Sequence, residues 1–130
     1  MLELTMASVA EADAGATAGM LMADEDSTPG AVLRVGRDGA VCRLVPPEDW
    51  LFVSRVHLEF HCAEDLTWSV SWLRGSHSDP SSRVRLVTGG GAQELAYGGS
   101  APLPVGGSGE VVIEDRTGPR TVNVGFHHEA

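Results

Sequence analysis

The sequence contains no lysine: all nine basic residues are arginine, set against 18 acidic residues, for a formal net charge of −9. A pI near 4.8 excludes a general nucleic-acid binder, which needs a net basic face to neutralise phosphates. No apolar run approaches the ~18 residues of a membrane span, and the first residues, MLELTMAS, lack the basic start and apolar core of a secretory signal. A soluble, cytoplasmic protein is expected. Only two cysteines occur, Cys42 and Cys62, and they form no CxxC pair. Both fall within apolar strand patterns, so reduced buried thiols are expected rather than a disulfide or metal site. No ten-residue stretch carries a clean helical stripe. Residues 9–23 come nearest, and glycine and threonine interrupt them.

What is present reads as β throughout. Residues 2–8 alternate Leu2, Leu4 and Met6 against Glu3 and Thr5. A short strand is expected before the polar loop that ends in Pro29-Gly30. Further strands are expected over 31–35 and 41–45, separated by Gly36-Arg37-Asp38-Gly39. The strongest pattern is 56–62, with Val56, Leu58, Phe60 and Cys62 on one face. Residues 66–72 repeat it with Leu66, Trp68, Val70 and Trp72, making a hairpin through Ala63-Glu64-Asp65. Strands over 83–87, 93–97, 110–114 and 121–126 complete the chain. Hydrophobic content of 42% and a length of 130 residues fit one globular domain, with its core over about 2–126 and the acidic, Gly/Ala-rich stretch 9–30 partly loop. Regular short strands with Gly/Pro turns mean a β-sandwich or barrel.

Arginine is also the planar, bidentate cation suited to phosphate and carboxylate. Two short phrases concentrate it: Gly36-Arg37, then Ser54-Arg55-Val56-His57 some seventeen residues on. Both lie at strand ends, where the loops of a sandwich gather. Gly36 allows a tight turn presenting Arg37. Ser54 offers a hydroxyl ahead of a strand, and His57, on its polar face, can tie neighbouring loops through its ring nitrogens.

GR followed by a spaced SRxH in an all-β pattern, with a Trp-containing strand and the late segment APLPVGGSGEVVI, resembles the forkhead-associated (FHA) domain family over roughly residues 2–126. With the Ala, Gly, Val and Arg usage of a GC-rich genome, the resemblance is to a bacterial member. It implies an FHA/SMAD-like sandwich of about eleven strands, its loops clustered at one edge. It also implies a phosphothreonine-binding adaptor in Ser/Thr kinase signalling that needs no cofactor or metal. Carried over, Arg37, Ser54 and Arg55 would hold the phosphate and its flanks, and Ser76 and Ser78 would contact the peptide. Gly36 and His57 would support them.

The sequence departs from the family in the loop after the Trp strand. The family pattern S-x-N-G-T places Ser78 where asparagine is expected, which weakens the grip on the peptide backbone, and Asp79 opposes a phosphate. The alternative is the same fold acting as a phosphate-independent interaction or dimerisation module.

Two other chemistries fit poorly. Ser54 lacks the G-x-S-x-G elbow and the strand-turn-helix of a serine hydrolase. His61 and Cys62, as strand neighbours, point to opposite faces and cannot share one metal.

Overall fold

The computed structural model describes residues 1–11, 16–75 and 78–129. Among these lie ten strands and no helix. They are β1 (Leu2–Glu11), β2 (Ala16–Glu25), β3 (Val32–Val35), β4 (Leu58–Cys62), β5 (Trp68–Trp72), β6 (Ser82–Thr88), β7 (Gly91–Leu95), β8 (Ser100–Pro102), β9 (Ser108–Asp115) and β10 (Thr121–His128). One antiparallel sheet runs β2-β1-β10-β9-β6-β7 and the other β3-β4-β5-β8. The two form a sandwich.

Alternation decides which side chains lie between the sheets. The six-stranded sheet sends in Leu4 and Met6, Val122 and Val124, Val111 and Ile113, and Val84 and Leu86. The other sheet answers with Leu33, Val35, Leu58, Phe60, Val70 and Trp72. Trp68 is fully buried yet satisfied, because its indole Nε1 donates to Ser27 Oγ at 2.9 Å. Each fully buried large apolar side chain contributes roughly 1.5–3 kcal/mol. Both cysteines are buried and free.

Several expectations are corrected. Residues 41–45 form no strand: Val41 ends a turn, and only Leu44 makes an isolated parallel bridge, to Val35. Cys42 is therefore buried in a loop. β4 begins at Leu58, so His57 precedes the strand and is buried rather than on a polar face. Leu66 belongs to the turn, with φ +68°, and its side chain is exposed. The short strand expected before Pro29-Gly30 is longer than read, β2 spanning Ala16–Glu25. The short β8 had no alternation to reveal it.

The pairing fixes where the loops fall. Val35 lies opposite Leu58, and Leu58 opposite Trp72. Across the sandwich Ser82 lies opposite Asp115, and Glu114 opposite Thr121. The β3–β4, β5–β6, β7–β8 and β9–β10 connections thus emerge at one end. The opposite end carries both chain ends, where the Glu129 amide donates to the Met1 carbonyl at 3.0 Å.

Candidate functional site

The long β3–β4 connection, residues 36–57, folds back on itself. The Gly36 amide donates to the Leu44 carbonyl, Arg37 to Ser54 and Asp38 to Arg55, at 3.1, 3.1 and 2.9 Å. The Cys42 thiol adds a bond to the Arg55 carbonyl at 3.4 Å, and burial pushes its pKa up, keeping it protonated to donate. Gly36 is required here for close approach rather than for an unusual φ. A Cβ at this position would stand 2.2 Å from the Arg55 carbonyl oxygen. Only glycine lets the two segments zip together.

That zipper brings Arg37, Ser54 and Arg55 side by side. The Arg37 Nε donates to the Val53 carbonyl, which holds the guanidinium beside Ser54. Its terminal nitrogens have no partner among the described residues. Arg55 is exposed and Ser54 half-buried. Beneath them, Trp50, Phe52 and Val53 bury into the core. Arg120 covers Trp50 and Phe52 from outside, its guanidinium 5.3 and 5.2 Å from the ring centres. Asp115 holds Arg120 in turn, through Oδ2 at 3.1 and 3.3 Å. Burial raises the Asp115 pKa, but bonds from Thr117 and Arg120 outweigh it and the net shift is downward.

His57 is the strut of the site. Its Nδ1 accepts the Ser54 amide proton at 2.9 Å. The proton therefore sits on Nε2, which faces Ser82 Oγ at 3.3 Å and donates to it across the sandwich. The ring stacks on Trp72 at 5.7 Å. Burial pulls its pKa down to about 4, so the ring stays neutral at physiological pH.

The β5–β6 connection completes the edge. The Gly75 amide donates to Tyr97 Oη at 2.8 Å, and a Cβ on Gly75 would lie 4.0 Å from Ser54 Oγ. A recess of about 190 Å³ opens between them, lined by Ser54, Asp79, Pro80, Ser82 and Tyr97 among others. Ser78 is exposed in the same connection and does not line this recess. Ser76 lies outside the described residues. Tyr97, the sole tyrosine, escaped sequence reasoning; its place just past a strand and before Gly98-Gly99 was the available signal. Cys42 and Arg120 escaped too, since both act through partners distant in sequence.

No cluster of His, Cys, Asp and Glu able to hold a metal occurs among the described residues. Among the described residues no helix is long and apolar enough to cross a membrane.

A two-sheet antiparallel sandwich with this connectivity, its long connections gathered at one end, is the fold of FHA domains. The chain superposes on the N-terminal FHA domain of S. cerevisiae Rad53p, solved with a phosphothreonine peptide, with a TM-score of 0.62 at 12% identity, over 96% of this chain and 94% of that one. An engineered FHA with a Myc-pTBD peptide gives 0.59 at 17% identity, over 98% and 92%. Rad53 residues 1–466, solved with AMP-PNP, gives 0.55 at 11% identity, over 98% of this chain and 30% of that one. No protein-family model matches the sequence, and no curated protein does.

Proposed function

We propose that this chain, as a single module spanning 1–130, binds phosphothreonine-containing segments of partner proteins and has no catalysis of its own. The observation that carries the reading is the backbone zipper, which sets Arg37, Ser54 and Arg55 side by side, with Ser54 lining a recess. A phosphothreonine brings about −1.5 to −2 charges and three strong acceptor oxygens. Arg37 and Arg55 supply guanidinium donors and Ser54 a hydroxyl, while Gly36 and His57 hold them in place. Ser76 and Ser78 belong to the connection that would lie along the peptide. Charge-assisted hydrogen bonds contribute roughly 1.5–3 kcal/mol each, so three or four supply most of a micromolar affinity, about −8 kcal/mol. An FHA domain solved with a phosphothreonine peptide shares the fold, which supports the reading. A cytoplasmic adaptor in bacterial Ser/Thr kinase signalling is the setting we propose.

The second reading is a phosphate-independent interaction module. Asp79 favours it, because its carboxylate lines the same recess as Ser54.

The deciding experiment is fluorescence anisotropy with a degenerate phosphothreonine peptide library, beside phosphoserine and unphosphorylated versions. The first reading expects binding that needs the phosphate and falls at least tenfold, about 1.4 kcal/mol or more, in both Arg37→Ala and Ser54→Ala. Saturable binding indifferent to phosphate establishes the second reading instead.

A further inference from the structure

Among the described residues four strands form sheet edges: β2 and β7 in one sheet, β3 and β8 in the other. An edge strand offers unpaired backbone N–H and C=O groups to any chain laid beside it, and folds blunt such edges with brevity, proline or charge. β3 has four residues, and β8 has three and ends in Pro102. β7 exposes Gln93 and Glu94. β2, at ten residues, is the exception. No charged residue falls between Ala16 and Ala23, and Met20, Leu21 and Met22 stand 65%, 43% and 77% exposed.

The pairing with β1 assigns each of these to a face. Leu21 and Ala23 lie opposite Met6 and Leu4, on the sandwich side, while Met20 and Met22 lie opposite Ala7 and Thr5, on the outer side. Apolar surface is thus exposed on both sides of one edge, which suits a strand laid alongside rather than a body resting on either face. The order of residues decides which strand. Gly19-Met20-Leu21-Met22-Ala23 reads nearly the same in both directions. A two-fold axis through Leu21 sets Leu21 against itself and Met20 against Met22 of the second copy. Asp24, Glu25 and Asp26 then run beside the uncharged 16–19 stretch of the second copy, so two chains of net charge −9 meet without opposing these acids. Centring the axis on Met22 instead would set Asp24 against Met20.

We propose that β2 is a self-association edge: two copies of this chain pair antiparallel through Met20, Leu21 and Met22, joining their six-stranded sheets into one. The interface is isologous. Between the pairs Ala7–Met20 and Val9–Thr17 the β1–β2 register shifts, with β2 using one residue more than β1. This bulge keeps the regular ladder short. The contact therefore belongs to the small, reversible class, below roughly 1,200 Å² of buried surface. The axis stands perpendicular to the sheet, so the ends carrying Arg37 and Ser54 point in opposite directions. On the phosphothreonine reading the dimer ties two partner molecules together, but the pairing itself does not depend on that reading.

The test is sedimentation velocity on the full chain over a concentration series. A shift from monomer to dimer is expected, with its midpoint on the order of tens of micromolar. Met22→Glu and Leu21→Glu, both at exposed positions, should each raise the dimer Kd at least about tenfold while leaving the melting temperature nearly unchanged. Met22→Leu should keep the dimer. Met20→Lys alone should be monomeric, yet mixing it with Met22→Glu should restore a dimer, because the register sets position 20 of one copy against position 22 of the other. A monomer at every concentration overturns the proposal. So does a dimer that survives Leu21→Glu, which is packed through the outer face, or one that survives every substitution and lies elsewhere. Phosphothreonine peptide added to the same samples should leave the dimer intact, and failure of that peptide to bind counts against the phosphothreonine reading alone.

Discussion

Acidification should loosen the site through His57, and the size of the effect follows from its burial. The ring is neutral in the folded chain because burial lowers its pKa from 6.5 to about 4. In the unfolded chain it takes up a proton near 6.5. Below that pH the unfolded state binds the extra proton and the folded state resists it. The stabilisation is thus complete above pH ~6.5, drains away as pH falls toward ~4, and changes no further below. A gap of about 2.5 units at 1.36 kcal/mol per unit gives roughly 3 kcal/mol. Urea unfolding of wild type and His57→Asn between pH 8 and 4 isolates the term, because the other titrating groups are common to both. Asparagine keeps an acceptor for the Ser54 amide but does not titrate. Wild type should be the more stable at pH 7.5, and its lead should shrink by about 3 kcal/mol by pH 4. A lead that stays constant across the range would refute the neutral, buried strut.

Gly36→Ala should destabilise the fold by roughly 2–4 kcal/mol and lose phosphopeptide binding, because its Cβ meets the Arg55 carbonyl and two zipper hydrogen bonds must open. Thermal melting and anisotropy check it; unchanged values in both would contradict the close approach. Asp79→Asn should strengthen phosphopeptide binding by about fivefold, removing a like charge worth about 1 kcal/mol from the Ser54 recess. Titration calorimetry against wild type reads this directly, and weaker binding would mean that Asp79 helps the ligand. Asp115→Asn should cost about 1–3 kcal/mol, since it weakens the grip on Arg120 and the Thr117 turn. Denaturant midpoints measure it, and a neutral result would show Arg120 held by its aromatic contacts alone.

Strand order was not legible in the sequence, but the sandwich was, because β4 and β5 alternate without exception. Trp68, Val70 and Trp72 face inward as read, as do Leu58, Phe60 and Cys62. The errors fall where alternation and backbone part company. Extending the pattern back to Val56 put His57 on a solvated face, whereas the chain leaves the strand there and turns the ring onto Trp72. Apolar Val41 and Leu44 looked like a strand, yet the chain spends that stretch turning back toward Val35. Arg37, Ser54 and Arg55 could be singled out by residue type and spacing. Tyr97 and Arg116 could not, since what places them near the site is Gly75 and Pro80, contacts made 22 and 36 residues away.

The adjacent chain ends have a mechanical consequence. Leu2 pairs with His128, and β1 and β10 run antiparallel from that point toward the end that carries Arg37 and Ser54. A force drawn through both ends therefore peels the two strands apart from their open end, one rung at a time, rather than shearing all rungs together. Rupture begins at the pole far from Arg37 and Ser54 and travels toward them. Under tension the loops around Arg37 and Ser54 are the last to feel the load.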